Sequence, residues 1–232
     1  MKCNLVEKVS PQKLPQGSTA DVWLIDVLVE DVSLFAQELV VALSDTSWIQ
    51  KLDPVGRLSF ERTANRTIAA LVTSFATVQN QVTSSFGEYM VSMSAGRSLA
   101  LLLGHEVLPI SELWKEKTIH NHGFDFHTES QEYLVAFGEA KYKKGGNPYT
   151  QAASQVLEFI ALGKDGGDAA LLEHLCSHEA IANLLSGHRG FTVAFSVASD
   201  NPILVLQNAL KSPDIEKLCY SCDQLQIIGV RT

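Results

Sequence analysis

Cationic side chains are scarce in this sequence, which limits how the protein can bind a polyanion such as nucleic acid. Its 232 residues contain 18 Lys and Arg against 26 Asp and Glu, a formal net charge of −8. This sign excludes a protein that grips nucleic acid over its whole surface. Any contact with nucleic acid is therefore expected to be local or to depend on a partner.

Long apolar runs and cysteine-rich patterns are also missing. Asp26, Glu30 and Asp31 interrupt the best apolar region before it reaches the length of a membrane span. The N-terminal residues do not have the apolar stretch of a signal peptide, so we expect a cytoplasmic protein. Four cysteines are too few for a disulfide framework in a chain of this length, so reduced thiols are expected. With 46% hydrophobic residues, the chain can bury one ordinary globular core.

Apolar periodicity switches between strand and helix along the chain. Strand-like runs cover residues 21–30, 123–127, 132–142, 190–198 and 225–230, whereas helical spacing covers 33–43, 64–82, 84–103, 149–162 and 202–210, with more helix up to about 185. This order predicts an α/β or α+β fold in which a central mixed sheet is flanked by helices. We expect residues 1–83 to form a β-α extension packed on a core of residues 84–232, which ends in a helix and a strand.

The strands at 123–127 and 132–142 are a natural antiparallel pair, because a short link joins them. Asp125 lies near the end of the first strand. Glu139 and Lys141 lie on the second, where strand alternation places them on one face. A charged pair in an otherwise apolar strand needs partners or a ligand. Together with Asp125, the pair predicts a hard oxygen site for a divalent cation, with Lys141 beside a metal-bound water.

An acid on one strand and Glu-x-Lys on the next is a pattern that resembles the PD-(D/E)XK nuclease superfamily. Asp125 matches the first acidic position of that family, Glu139 matches the second, and Lys141 matches the lysine. The helix after this strand matches the helix that follows the motif in the family, with Gln151 and Gln155 on its first turns.

Two further features bear on this resemblance. Glu88, on the preceding helix, matches an additional acid that many members of the superfamily direct at the metal. Phe124 precedes Asp125 where the name of the superfamily has proline. The resemblance covers roughly residues 84–198 and implies a restriction-endonuclease-like core within residues 84–232.

The resemblance implies hydrolysis of DNA phosphodiesters with Mg²⁺ or Mn²⁺ as cofactor. Glu88, Asp125 and Glu139 would bind the metal, since oxygen ligands suit these ions. Lys141 would orient the attacking water or help to deprotonate it, which makes Asp125, Glu139 and Lys141 the candidate catalytic residues. The candidate substrate-binding residues are Lys143, Lys144, Gln151 and Gln155.

The wider pattern is similar to one group of nucleases, the HamA subunits of the Hachiman antiphage systems. It consists of Gly-x-Asp on one strand, an apolar run into Gly-Glu-x-Lys-Tyr, and an acid-bearing helix upstream. This likeness implies a bacterial antiphage defence complex in which a HamB-like helicase subunit accompanies the nuclease. The rival hypothesis is a nuclease-like fold that serves as a non-catalytic binding or regulatory subunit of a helicase/nuclease complex.

The spacing of several cysteines and histidines in the sequence is compatible with a zinc site. Cys219 and Cys222 form a CxxC, and His174, Cys176 and His178 lie close together. However, there is no second CxxC, and a helix would turn the middle cysteine of the second cluster away from its two histidines. Neither structural zinc nor a redox role is favoured, because a CxxC by itself is a weak signal.

Three more histidines surround the proposed site in the sequence. His120, His122 and His127 could supply a base or a metal ligand, although the filling of a polar loop is the favoured interpretation. For the acid and Glu-x-Lys pattern itself, the simplest alternative is an exposed strand face that carries an ordinary ion pair.

Overall fold

A computed structural model describes residues 1–76, 82–114 and 123–232 of the chain. The strands are β1 (Lys2–Lys8), β2 (Asp21–Leu28), β3 (Glu106–Val107), β4 (Phe126–Glu129), β5 (Val135–Lys141), β6 (Gly190–Ser196) and β7 (Gln224–Arg231). The helices are α1 (Val32–Ser44), α2 (Ser47–Lys51), α3 (Pro54–Ala76), α4 (Ser84–Leu103), α5 (Tyr149–Ala161), α6 (Lys164–Gly167), α7 (Ala169–Leu172), α8 (His178–Leu185), α9 (Pro202–Leu210) and α10 (Pro213–Leu218). The predicted mixed α/β architecture is confirmed.

The strands form one mixed sheet in the order β1-β2-β7-β6-β5-β4-β3. Its centre is parallel, because β2, β7, β6 and β5 run in one direction, and the antiparallel pairs lie towards the two edges. The central strands are buried along almost their whole length, as expected for a parallel sheet covered by helices. Over the described residues, no helix is both long enough and apolar enough to cross a membrane.

Helix α4 crosses the sheet and packs against β4, β5 and β6, whereas α5 packs against β5 and β6. Helix α4 begins where the Thr83 hydroxyl accepts a hydrogen bond from the Phe86 N–H, and it ends at Gly104, which has a φ of 70°. Gly87 lets its first turn approach the end of β5, since a Cβ at this position would lie 2.2 Å from the ring of Tyr142. The absence of a side chain therefore brings the start of α4 next to the Glu-x-Lys strand.

Two elements near the N-terminus differ from the sequence expectation. Strand β1 was not predicted, because its residues are mostly exposed and its apolar pattern is weak. Helix α3 begins at Pro54, about ten residues before the predicted start, because the Asp53 carboxylate accepts hydrogen bonds from the N–H groups of Val55 and Gly56. The predicted end of this helix falls beside residues 77–81, which lie outside the described residues.

The predicted antiparallel pair is confirmed, with Phe126 opposite Gly138 and Glu129 opposite Val135. The first strand, however, begins at Phe126 instead of residue 123, so Asp125 lies immediately before it. The link between the two strands is a tight turn closed by a hydrogen bond of 2.9 Å from the Ser130 N–H to the Leu134 carbonyl. This later start moves Asp125 out of the regular ladder and leaves its side chain available to the neighbouring strand.

Candidate active site

Hydrogen bonds to β5 fix the position of Asp125 on both sides of Glu139. The Asp125 N–H donates to the Gly138 carbonyl at 2.9 Å, and the Ala140 N–H donates to Asp125 Oδ2 at 2.9 Å. Gly138 and Ala140 are the two chain neighbours of Glu139. The backbone of the Glu-x-Lys strand therefore holds the first acid beside the second, as the sequence pattern predicted.

Glu139 is almost completely buried, with an exposure of 1%, yet only half of its carboxylate is satisfied. Lys141 Nζ donates to Glu139 Oε1 at 2.6 Å. Among the described residues, Glu139 Oε2 has no hydrogen-bond partner. A buried carboxylate oxygen left without a partner is costly, so this position is suited to a ligand.

Burial and like charges make the two carboxyl groups reluctant to ionise together. Burial raises the pKa of Asp125 to about 6, against the opposing effects of the Ala140 N–H and the Lys141 ammonium. Burial and the nearby Asp125 also raise the pKa of Glu139 well above its usual range. Burial lowers the pKa of Lys141, but the Glu139 carboxylate outweighs it and the pKa is raised on balance. A cation between the carboxylates would relieve this repulsion.

A cavity of about 150 Å³ opens beside Asp125, and the exposed side chain of Glu88 lines it from α4. The charge of Glu88 contributes to the raised pKa of Asp125 and also to that of Glu139. Gly87, the neighbour of Glu88, is the residue that lets α4 approach β5. Glu88 therefore lines the cavity beside Asp125, and its role as a metal ligand stays a prediction.

Sequence reasoning missed two residues of this cavity, Tyr89 and Glu112. The Tyr89 hydroxyl donates a hydrogen bond to the Glu112 carboxylate, and burial together with this carboxylate raises the pKa of Tyr89. Glu112 lies in the 3-10 turn Ser111–Leu113, and the Ser111 N–H donates to the Asp125 carbonyl at 3.2 Å. The only sequence signal for Glu112 is an acidic residue in an apolar segment, which no motif identifies.

The four candidate substrate-binding residues fall into two groups. Lys143 and Lys144 lie directly after β5, in a groove shared with the end of β6. Gln151 and Gln155 line a different depression, together with Glu158 and other residues of α5. The lysines therefore lie next to Lys141 in the fold, whereas the glutamines lie apart from the cavity that Glu88 and Asp125 line.

The cysteine and histidine clusters have other partners in the fold. His174 Nδ1 lies 2.6 Å from the Asp53 carboxylate, at the start of α3. Burial raises the pKa of the Cys219 thiol to about 11, and that of the Cys176 thiol to about 12. All four cysteines are free thiols. These raised values oppose the thiolate that both zinc binding and redox chemistry require.

His127 lies within β4 and is fully buried, so its interpretation as loop filling was wrong. Its Nδ1 lies 3.1 Å from the Ser111 hydroxyl, and its Nε2 lies 3.4 Å from Asp168 Oδ2. Through Ser111 it supports the turn that bonds to the Asp125 backbone. His120 and His122 lie outside the described residues.

The carboxylates suit a divalent cation whose remaining ligands come from the substrate and from water. In residues 1–76, 82–114 and 123–232, no three His, Cys, Asp or Glu side chains form a group that could hold a metal ion, and this includes the predicted trio of Glu88, Asp125 and Glu139. Mg²⁺ usually needs less than this, because one or two carboxylates hold it and substrate phosphate oxygens and waters complete its shell. Asp125 and Glu139 supply two carboxylates, and the unpartnered Glu139 Oε2 supplies a ligand atom without breaking a bond.

The chain was compared with models of protein families, with curated proteins and with solved structures, and none of them matches it. Its function is therefore inferred from the geometry around Asp125, Glu139 and Lys141.

Proposed function

We propose that the protein is a metal-dependent DNA nuclease with a PD-(D/E)XK core, in which Asp125, Glu139 and Lys141 are the catalytic residues. The observation that carries this proposal is the carboxylate of Glu139, which is buried beside a second acid and has one oxygen without a partner. In native proteins the large majority of buried side-chain polar atoms have a hydrogen-bond partner, so a buried carboxylate with a purely structural role is expected to have both oxygens satisfied. The exposed ion pair considered as the simplest alternative is also incompatible with an exposure of 1% for Glu139.

Asp125 and Glu139 would hold Mg²⁺ or Mn²⁺, and Glu88 would join them from α4. The bound cation would stabilise negative charge on the phosphoryl oxygens and ease deprotonation of a water. Because its pKa is raised, Lys141 stays an ammonium near neutral pH. It therefore donates a hydrogen bond to the phosphate or the attacking water and does not act as the base. In the net reaction one water adds to phosphorus, one P–O bond breaks, and a phosphate monoester and a sugar hydroxyl are released.

Lys141, Lys143 and Lys144 bring positive charge to the end of β5, next to the site. Together they neutralise only a few phosphates, while the net charge of −8 repels DNA at long range. The isolated chain should therefore bind DNA weakly. Gln151 and Gln155 would touch DNA only outside the catalytic cavity.

The weak DNA binding expected of the isolated chain leads to a proposal about its partner. The chain would be the effector subunit of a cytoplasmic bacterial antiphage complex of the Hachiman type, and a helicase subunit would supply most of the DNA binding. The Gly-x-Asp and Gly-Glu-x-Lys-Tyr segments support this likeness. Purification from the native host tests it, because a helicase in stoichiometric amount is expected to accompany the chain.

The nuclease proposal is tested by incubating the purified chain with plasmid and with labelled oligonucleotides in Mg²⁺ or Mn²⁺. We expect cleavage that a chelator stops, while the fold remains intact. Glu139→Gln preserves the size of the side chain but removes its charge, so it should abolish cleavage. Glu61→Gln is the matched control, because Glu61 is exposed on α3 and should not affect cleavage.

The rival hypothesis of a non-catalytic subunit predicts a different result. In that case neither the chain nor its complex with a helicase would cleave DNA through this site. Equal cleavage by the wild type and a folded Glu139→Gln variant would also rule out Glu139 as a catalytic residue. Circular dichroism and thermal melting would verify that each variant is folded.

A further inference from the structure

A groove of about 560 Å³ lies at the carboxyl ends of β5, β6 and β7. Ligands commonly bind at this end of parallel strands, because the loops that follow the strands converge there. One wall is the loop after β5, where the Lys143 N–H donates to the Ser196 hydroxyl at 2.9 Å. Asn147 continues this attachment, since its side-chain oxygen accepts from the Ala198 N–H at 2.9 Å. These bonds join the ends of β5 and β6 into a preformed wall.

The groove carries positive charge that the fold leaves uncompensated. Lys143 and Lys144 are exposed in it, and neither forms an ion pair with any residue in the described ranges. Arg231 at the end of β7 also lines the groove, although two hydrogen bonds of 3.0 Å tie it to Asp26. Asp200 brings a negative charge to the same lining. The two unpaired lysines therefore dominate the local charge in a protein that is acidic as a whole.

An aromatic ring joins this groove to the proposed active site. Tyr142 lines the groove and follows Lys141 directly in the chain. Its ring lies against the backbone of α4 at Gly87, where no side chain intervenes. Glu88, the next residue of α4, lines the cavity beside Asp125. The contact between Tyr142 and α4 thus lies between a residue that lines the groove and a residue that lines the cavity beside Asp125.

We infer that this groove takes one strand of the substrate, so that the site acts on single-stranded DNA with Tyr142 as the stacking platform. This inference rests on the proposed nuclease function and names its substrate class. A cationic groove with an aromatic side chain is the combination that binds single strands, because unpaired bases stack on the ring while phosphates meet the lysines. In a duplex the bases are already stacked and paired, so the ring has nothing to bind.

Binding can be measured apart from catalysis. The full chain carrying Glu139→Gln is titrated, without divalent metal, into a labelled 20-nucleotide single strand and a duplex of the same length. Replacement of Tyr142 by Leu should weaken single-strand binding at least fivefold, in line with the loss of about one stacked base, and should change duplex binding less than twofold. Replacement by Phe keeps the ring and should change both affinities less than twofold. Tyr220→Leu is the matched control, because Tyr220 is exposed outside the groove.

The lysines provide a test that does not alter the ring or its packing. In the double variant Lys143→Gln, Lys144→Gln, the slope of log affinity against log salt should fall by about 1.4 for the single strand, since each phosphate contact contributes about 0.7. The matched control is Lys51→Gln, Lys211→Gln, which makes the same charge change at exposed positions outside the groove. It should leave the slope nearly unchanged. Thermal melting shows whether Tyr142→Leu has folded, and if it has not, the lysine variants still decide.

Two outcomes separate this inference from the proposed function. If the wild type cleaves DNA through Glu139 but binds the duplex as tightly as the single strand, or if the groove variants leave single-strand binding unchanged, the groove inference is overturned and the nuclease stands. If single strands bind through Tyr142 and the two lysines but no complex of the chain cleaves DNA, the groove is supported and the nuclease proposal is wrong.

Discussion

Two buried ion pairs of the same sheet, each a carboxylate with a cation near a strand end, have opposite designs. Asp26 on β2 is 5% exposed, and both of its oxygens accept hydrogen bonds of 3.0 Å from Arg231 on β7. Glu139 on β5 is 1% exposed, but Lys141 satisfies only one of its oxygens. Asp125, Glu88 and the rest of the cavity add further negative charge around the second pair.

The difference teaches how to distinguish an ion pair that is satisfied within the fold from one that is suited to bind a ligand. The flat guanidinium fork of Arg231 matches the carboxylate of Asp26 completely, so nothing remains to bind. The single ammonium of Lys141 leaves Glu139 with an open oxygen, and the neighbouring acids make that carboxylate costly without a cation. A buried carboxylate oxygen without a hydrogen-bond partner is therefore a better indication of a binding site than the presence of a buried ion pair.

The strongest test gives Glu139 the two-oxygen contact that Arg231 makes with Asp26. Lys141→Arg keeps the charge but offers a fork that can satisfy both oxygens of Glu139, so it should remove the open ligand position. We expect the cleavage rate to fall at least about a hundredfold, comparable to the loss of one electrostatic contact in a catalytic site. Stability should stay the same or rise by up to about 1 kcal/mol. Single-turnover cleavage and urea denaturation measure the two effects, and a variant that cleaves at the wild-type rate would contradict the comparison.

The opposite result is expected from breaking the structural pair. Asp26→Ala leaves Arg231 partly buried without its carboxylate, so the free energy of unfolding should fall by about 3 kcal/mol. Cleavage per folded molecule should stay within about threefold of the wild type, since the groove lysines and the carboxylates remain. Denaturation midpoints together with specific activity at low temperature check this. A stable but inactive variant would show that Asp26 belongs to the site.

The crowded carboxylates also predict an unusual dependence of stability on pH. Folded Asp125 has a pKa of about 6 against a usual 3.8, so between these values the folded chain binds more protons than the unfolded chain. This group therefore stabilises the fold fully below about pH 4, and the contribution is lost as the pH rises to about 6. Asp125→Asn should raise stability by about 3 kcal/mol at pH 8 and by almost nothing near pH 3.5.

Urea denaturation in a chelating buffer at both pH values measures this difference. Asp26→Asn provides the contrast, because it should not stabilise the protein at pH 8. Added Mg²⁺ should narrow the gap between the wild type and Asp125→Asn, since the ion offsets the repulsion that Asn removes. An equal gain from Asp125→Asn at both pH values would mean that the charge of Asp125 is not the cause.

The smallest effect is expected from Tyr89 and Glu112, which line the cavity beside Asp125. Tyr89→Phe removes the hydrogen bond to Glu112, so it should lower stability by about 1 kcal/mol and cleavage by a few fold. Glu112→Gln keeps a hydrogen-bond acceptor but removes the charge, and it should weaken Mn²⁺ binding measured by calorimetry. Unchanged Mn²⁺ affinity in Glu112→Gln would show that the charge of Glu112 does not contribute to cation binding.

The sequence was informative where chemistry interrupts a regular pattern. Glu139 and Lys141 stand out because they are two charged residues in an otherwise buried, apolar strand. The strand that carries Asp125 at its start could be paired with this strand because only a short link joins the two strands. Glu88 could be predicted only by resemblance, because a helix carries many exposed acids. Glu112 could not be predicted, since the turn that carries it is placed by a backbone hydrogen bond to Asp125 that has no sequence signature. The orphaned oxygen of Glu139 was also out of reach, because it depends on the exact reach of the Lys141 side chain.

The helix and strand boundaries show the same limit. The start of α3 at Pro54 was missed because the sequence Asp-Pro signals a turn as well as a helix start, and only the folded chain shows which one is present. Strand β1 is exposed, so it lacks the apolar alternation that reveals a half-buried strand. Its position depends on antiparallel pairing with β2, which is a tertiary event.

Strand β7, inserted between β2 and β6, has a consequence for how the protein is made. Asp21 pairs with Gln224, roughly two hundred residues later, so the centre of the sheet closes only after nearly all of these residues have left the ribosome. Until then β2 and β6 both present bare apolar edges, which invite aggregation or the attention of chaperones. A chain cut off before β7 should therefore fail to fold instead of forming a smaller working version.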